Sequence, residues 1–515
     1  MGATHSNDPI NRGHLIGARY VVHGPIFLSS ALLLIAFVVL SLIAPSPTTQ
    51  VFALLKTTVT TSFDWVLMIA AAAALLLCGG IAASPFGRIR LGGETAKPRY
   101  STFSWVAMLF AAGVGTGMMF YGTAEPAAYY TAWAGAPLNS IPRTLEAERL
   151  AFSAALFHWG LTPWALYAIT GLALAFSHFN CGLPLAIRSA FYPALGNRIF
   201  AWPGFAIDVC AVLATVFGLA TTLGFGATLA ASGLSYSFGV PNTMFMQITI
   251  ICVVTMAATL SVVLGLDNGI RRLSLVNIWL AAALLLFILI AGPTGAAFQT
   301  MLQTALDYPK DLLALSSWIG RDDQQFYQGW TLLYWAWWIA WAPFVGMFIA
   351  RISYGRSIRV FLLNVVVLPT FVGLVWFSAF GKAAIHQIQA GIGALASGVD
   401  KDYLVIWQTL EALPFAPITT LLALTLLFVF FISSSDSGSL VADSMTAGGQ
   451  EDAPVAQRVF WAVLEGLVAI ALLLGGGAGA LGSLQNAVIA AGLPFAVIVV
   501  ASGLCLIAAL RQYSK

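Results

Sequence analysis

Twelve apolar runs of about twenty residues, each long enough to cross a bilayer, alternate with polar and turn-forming stretches along this chain. They centre near residues 35, 74, 113, 163, 219, 255, 287, 341, 369, 430, 467 and 498. The pattern predicts an all-α integral membrane protein with twelve transmembrane helices. The first run begins near Ile26 after a polar stretch and has no small-residue cleavage site before Pro45, so it reads as a retained span, not a signal peptide. Residues 301–318 carry Lys310 and Asp311 and are too polar for a span. They predict a helix lying along the outer interface. The polar turn at residues 267–272 predicts a short loop between the sixth and seventh spans.

Charge sets the orientation. If both termini lie inside, sixteen of the 23 Lys and Arg residues fall in inside segments and seven outside. That bias predicts cytoplasmic termini, in agreement with an even span count. Only 8% of residues are charged and 59% are hydrophobic, against roughly a quarter charged in a soluble domain. A net charge of +3 gives no reason to expect a nucleic-acid partner. The five cysteines (Cys78, Cys181, Cys210, Cys252 and Cys505) have no metal-ligand or redox spacing and read as packing residues.

Four stretches carry candidate chemistry. Residues 329–341 read GWTLLYWAWWIAW and hold Trp330, Trp335, Trp337, Trp338 and Trp341. Tryptophan in membrane proteins collects at the headgroup level, yet here it continues into mid-span, where ring faces attract weakly hydrated quaternary cations. The fourth span carries Trp159, Trp164 and Tyr167, which fall within half the circumference of a continuous helix. They form either a packing face or a second aromatic wall. His158 beside them reads as a hydrogen-bonded structural residue, with a proton relay as the alternative.

The third span holds Gly113, Gly115 and Gly117 at alternate positions. Each glycine costs a helix about 1 kcal/mol relative to alanine. Close helix packing is one reading; a helix broken at mid-membrane, with carbonyls and amides turned to a ligand, is the other. Glu125-Pro126 then reads as a helix stop with the acid near the outer surface. In the fifth span, the hydroxyls of Thr215, Thr221 and Thr222 are expected to bond back to their own helix in at least one case. The tenth span carries Ser433, Ser434 and Ser435 before Asp436, hydroxyls that are costly when unsatisfied. They serve either helix–helix hydrogen bonds or a hard cation. Asp436 closes a hydrogen-bond network or binds the ion.

Residues 329–338, GWTLLYWAWW, resemble the signature of the betaine/choline/carnitine transporter family. The glycine run with its FYGTAEP tail (residues 120–126) and the HWG…W…Y stretch of the fourth span resemble it too. The resemblance covers residues 12–510. It implies a leucine-transporter-like fold, with two five-helix repeats of inverted topology following two extra helices. The corresponding divisions are 1–100, 101–300 and 301–328 (the interfacial segment), then 329–510 and the tail 511–515. It implies an aromatic box of Trp159, Trp164, Tyr167 and Trp338, with Trp337, Trp341 and the three glycines adjoining the substrate path. It also implies a sodium site from the carbonyls of Ala111, Val114 and Phe430 and the hydroxyls of Ser433 and Ser434. A second sodium site would use Thr215 and Phe344, although Leu219 stands where a hydroxyl is expected.

The function so implied is import of a zwitterionic quaternary-ammonium or sulfonium solute, glycine betaine first, by Na⁺ symport across the inner membrane. Na⁺ is then the coupling ion and no cofactor is expected. Choline carriers resemble GxGxD at the glycine run, whereas this chain has Gly117. A neutral position suits a ligand that brings its own carboxylate, because an unpaired buried acid is costly. The alternatives are a sodium-independent exchanger of carnitine or betaines, or a choline or dimethylsulfoniopropionate carrier. An intramembrane enzyme would need convergent catalytic groups, and His158 and Asp436 lie on separate helices. The resemblance suggests a homotrimer in contact with membrane lipid. The chain ends a few residues past its last span, so osmotic sensing through a long charged tail is not expected.

Overall fold

The computed structural model describes residues 22–113, 115–264, 270–450, 454–476 and 480–514. Among these the secondary structure is helical, apart from one isolated bridge between Arg90 and Ser357. Three helices lead: α1 (Gly24–Ile43), α2 (Pro45–Ser62) and α3 (Asp64–Ala83). The first half follows as α4 (Thr102–Gly113), α5 (Gly115–Thr131), α6 (Leu145–Trp159), α7 (Leu161–Phe179), α8 (Trp202–Phe238), α9 (Met244–Leu264) and α10 (Ile270–Ala291). After α11 (Thr294–Ser316), the second half comprises α12 (Leu332–Ile352), α13 (Ile358–Ala390), the short α14 (Val405–Glu411), α15 (Ala416–Thr446), α16 (Val455–Gly476) and α17 (Ala480–Tyr513).

Eleven helical stretches among the described residues are long and apolar enough to span a membrane, with α6 and α7 counted as one. The third predicted span is the twelfth. Its described residues are helical over Thr102–Gly113 (α4) and Gly115–Thr131 (α5). Val114 between them lies outside the described residues, as do residues 265–269, and the expected break at mid-membrane falls on that undescribed stretch. The predicted interfacial segment is α11, which does not qualify as a span.

The two halves repeat one another's packing. α5 lies against α13, and α12 lies against α7 in the reciprocal manner. α8 packs on α15; α8 also meets α16 and α17, while α15 meets α9 and α10 in the same roles. α9 and α16 pack together. Five spans per half give the halves opposite directions through the membrane, the arrangement of an inverted repeat. α7 and α12 sit where the halves meet and are buried nearly all round, as expected of helices apolar on every face. α1 and α10 instead turn leucines and isoleucines outward, Leu32, Leu33, Leu286 and Ile290 among them.

Three features depart from the sequence reading. α2 fills what was read as a connection. Its threonine-rich sequence is too polar to register as a span, and it is held by packing on α17 and α16. α5 does not stop at Glu125-Pro126 but runs through to Thr131. Pro126 is accommodated because Gly381 of α13 faces its ring: a Cβ on Gly381 would lie 2.6 Å from Pro126 Cγ. Finally, the fourth span is not one continuous helix. Gly160 separates α6 from α7, and a Cβ there would lie 2.4 Å from the Leu156 carbonyl oxygen.

Candidate functional site

The break at Gly160 shapes the aromatic site. Trp159 is the last residue of α6, while Trp164 and Tyr167 lie three apart on α7, so two differently directed helices present the three rings. Trp338 of α12 meets all of them. Its ring centroid lies 5.4 Å from Trp159, 5.9 Å from Trp164 and 5.0 Å from Tyr167, with interplanar angles of 78°, 59° and 50°. Trp164 and Tyr167 are edge to face at 5.6 Å. All four side chains are buried. Rings that meet at such angles offer both faces and edges, and ring faces attract cations.

The remaining predicted residues take different places. Trp337 turns away from that cluster toward Phe225 and Tyr121, and its Nε1 donates to Thr222 Oγ1 at 3.2 Å. Trp341 packs on Phe344 and against the bare backbone of Gly218 on α8. Its buried Nε1 has no hydrogen-bond partner. Gly117 lies against the outer edge of the Trp159 indole, so closely that a Cβ would collide with it, and Gly115 faces the Phe430 ring. Gly113 ends α4, with Ala111 in its last turn; Val114 lies outside the described residues.

The cation candidates lie on α15. Ser433 and Ser434 are buried, and Ser433 Oγ donates to the Phe430 carbonyl at 3.0 Å, leaving the oxygen's lone pairs turned elsewhere. Hydroxyls and backbone carbonyls are the oxygen donors that a hard cation takes, so these residues suit Na⁺. On α8, Thr221 and Thr222 bond back to Phe217 O and Gly218 O, as expected of at least one threonine there. Thr215 does not, and its buried hydroxyl lacks a partner. Phe344 is fully buried on α12, the helix that packs on α8. Leu219 fills space against Gly438. Asp436 accepts a hydrogen bond from Ser261 of α9, which closes a network between the two halves.

Glu125 is the functional group that the sequence reading misplaced. It is fully buried, not near a surface. Four donors converge on its carboxylate. Tyr129 Oη (2.7 Å) and His158 Nδ1 (2.8 Å) meet Oε1; Trp159 Nε1 and Tyr334 Oη, both at 2.7 Å, meet Oε2. His158 reaches Thr331 Oγ1 with its other nitrogen at 3.0 Å, in keeping with a structural role. The acid thus ties α5, α6 and α12 together and fixes the indole of Trp159, one wall of the aromatic cluster. Charge-assisted hydrogen bonds of this kind are about twice as strong as neutral ones.

A family model described as betaine/carnitine/choline family transporter matches residues 25–515. Glycine betaine transporter 1 of Vibrio parahaemolyticus is 48% identical, covering 93% of this chain and 92% of that one. The glycine betaine/proline/choline/ectoine transporter of the same organism is 46% identical over 95% of this chain and 87% of its own. The glycine betaine transporter of Acinetobacter baylyi is 41% identical over 94% of this chain and 73% of its own. The solved structure of a Na⁺-coupled sialic acid symporter aligns over 88% of this chain and 98% of its own at 12% identity and a TM-score of 0.41; nothing below rests on it. Similarity of this extent and degree makes the chain a member of the betaine/carnitine/choline transporter family, a multi-pass membrane carrier for a small quaternary-ammonium class of solute and not an enzyme.

Proposed function

We propose that the protein imports glycine betaine by Na⁺ symport, with both termini on the cytoplasmic face of the inner membrane. The observation that carries the proposal is the contact of Trp338 with Trp159, Trp164 and Tyr167, with Gly117 packed on the edge of Trp159. The rings take the trimethylammonium head, each face contributing about 0.5–2 kcal/mol. No acid stands at position 117 to compete for that head, so the ligand's own carboxylate is left for backbone amides of the glycine run. Three relatives named as glycine betaine transporters support glycine betaine as the solute.

The ion supplies the drive. Glycine betaine carries no net charge, so the membrane potential alone cannot concentrate it. Each Na⁺ moving inward with it gains about 2.3 kcal/mol per 100 mV, equivalent to roughly fifty-fold accumulation. Phe430, Ser433 and Ser434 are the proposed seat of that ion, next to Gly115 and hence next to the helix that carries Gly117. An ion there and a solute against Gly117 would each favour the same arrangement of α4, α5 and α15, which is how one gradient drives the other.

The test is uptake of radiolabelled glycine betaine into proteoliposomes. Uptake above equilibrium is expected with an inward Na⁺ gradient and not when K⁺ replaces Na⁺. Equal uptake in both would mean a sodium-independent exchanger. A competition panel of choline, proline, carnitine and dimethylsulfoniopropionate under the same gradient ranks the solutes.

A further inference from the structure

Asn277 of α10 has no role in anything described so far. It is 1% exposed. Its Nδ2 donates to Ser433 Oγ at 2.8 Å, while Ser433 spends its single hydrogen on the Phe430 carbonyl. The serine can therefore meet Asn277 only as an acceptor. That fixes the amide with its nitrogen toward Ser433.

The amide oxygen is buried and has no hydrogen-bond partner. An orphaned carbonyl of this kind costs about 1–3 kcal/mol, and buried polar groups in native proteins are nearly always satisfied. Asn277 and Phe430 line a crevice of about 290 Å³ among α4, α5, α10, α13 and α15, where Ala107, Met118 and Trp376 also contribute. Its walls offer the oxygen no free donor, because the indole N–H of Trp376 already donates to Met118 O at 3.1 Å. Among the described residues lining the crevice, none supplies that oxygen a donor or a cation.

We propose that Asn277 belongs to the cation site. Its amide nitrogen holds Ser433 with a lone pair free for the ion, and its amide oxygen is a further neutral ligand to Na⁺. The inference rests on the sodium reading of Phe430, Ser433 and Ser434 given above. It adds a helix to that reading: through Asn277 the ion would join α10, the last span of the first half, to α15 of the second. Sodium would then brace two elements that pack against each other and that alternating access must move.

Sodium binding to purified protein in detergent tests this without transport. The unfolding midpoint, followed by tryptophan fluorescence, is measured against Na⁺ concentration with K⁺ holding ionic strength constant. Wild type should be stabilised by Na⁺ until saturation. Asn277→Ala should raise the half-saturating Na⁺ concentration at least tenfold. Asn277→Asp, which keeps an oxygen but loses the N–H that holds Ser433, should have a half-saturating Na⁺ concentration between those of wild type and Asn277→Ala. Should Asn277→Ala show no cooperative transition, Asn277→Ser takes its place with the same expected shift. A wild-type sodium midpoint in the Ala or Ser variant overturns the assignment of Asn277 alone. Wild type that binds glycine betaine but is indifferent to Na⁺ overturns the sodium site itself, and the role of Asn277 with it.

Discussion

Replacing Glu125 should damage both the fold and the aromatic site, by an amount that follows from its four donors. In Glu125→Ala, Tyr129 Oη and His158 Nδ1 already lie 3.1 Å apart, so they can satisfy each other. Trp159 Nε1 and Tyr334 Oη are left facing an apolar void. Each stranded donor costs about 1–3 kcal/mol, giving about 2–6 kcal/mol for the pair. Glu125→Gln keeps one carbonyl oxygen. Turned toward Trp159 and Tyr334 it serves both, while the new amide N–H faces His158 Nδ1, which can accept in its other tautomer. The Gln variant should therefore lose about 1–2 kcal/mol, chiefly from exchanging charge-assisted bonds for neutral ones. The assay pairs thermal unfolding in detergent with glycine betaine titration of tryptophan fluorescence. Wild type, Gln and Ala should rank in that order for both midpoint and affinity, with Ala at least tenfold weaker in binding. An Ala variant with wild-type affinity would refute the claim that Glu125 holds Trp159 in place; a Gln variant as impaired as Ala would refute the tautomer argument.

Two further substitutions test separate parts of the account. Gly160→Ala places a Cβ 2.4 Å from the Leu156 carbonyl oxygen; uptake KM should rise at least tenfold as α7 turns relative to α6, and an unchanged KM would mean the break does not set the rings. Asp402, in the turn Asp402–Leu404 outside the spans, has its carboxyl pushed up to about 6 by burial. Its folded value exceeds its unfolded one, so the folded state loses stability as pH rises from about 4 to 6 and stays lower above that. Asp402→Asn keeps the acceptor for the Tyr403 N–H and should raise the unfolding midpoint at pH 7, with the gain vanishing toward pH 4; a gain independent of pH would contradict this.

Much of the architecture is legible in the sequence because length and apolarity alone define a span. The two aromatic stretches are equally legible, since tryptophans far from a headgroup layer ask for an explanation. Glu125 was not, because Glu-Pro after a glycine-rich run reads locally as a helix stop. Its real environment is tertiary: Tyr129 lies one turn along α5, but His158, Trp159 and Tyr334 come from two other helices. A clue was available in the Glu125–Tyr129 spacing of four, which places an acceptor and a donor on one face. Gly160 was unreadable for a different reason. One glycine in a membrane helix serves close packing as often as a break, and only the surrounding backbone decides. Asn277 was overlooked within the seventh span, although a lone amide in a span calls for a partner. α2 has no apolar signature because it depends on α17 and α16, not on its own composition.

Binding of glycine betaine to Trp338→Ala, measured beside Trp330→Ala, bears most directly on the central claim that an aromatic cage holds the solute. Trp338 touches Trp159, Trp164 and Tyr167. Trp330 instead stacks on Tyr334 and anchors its Nε1 on Ala134 O at 3.1 Å. Loss of one cation–π face should weaken binding by about 0.5–2 kcal/mol, or about 2- to 30-fold, in Trp338→Ala, with a smaller change in Trp330→Ala. Equal losses at the two positions, or none at Trp338, would mean that these rings only pack the helices and that the solute binds elsewhere.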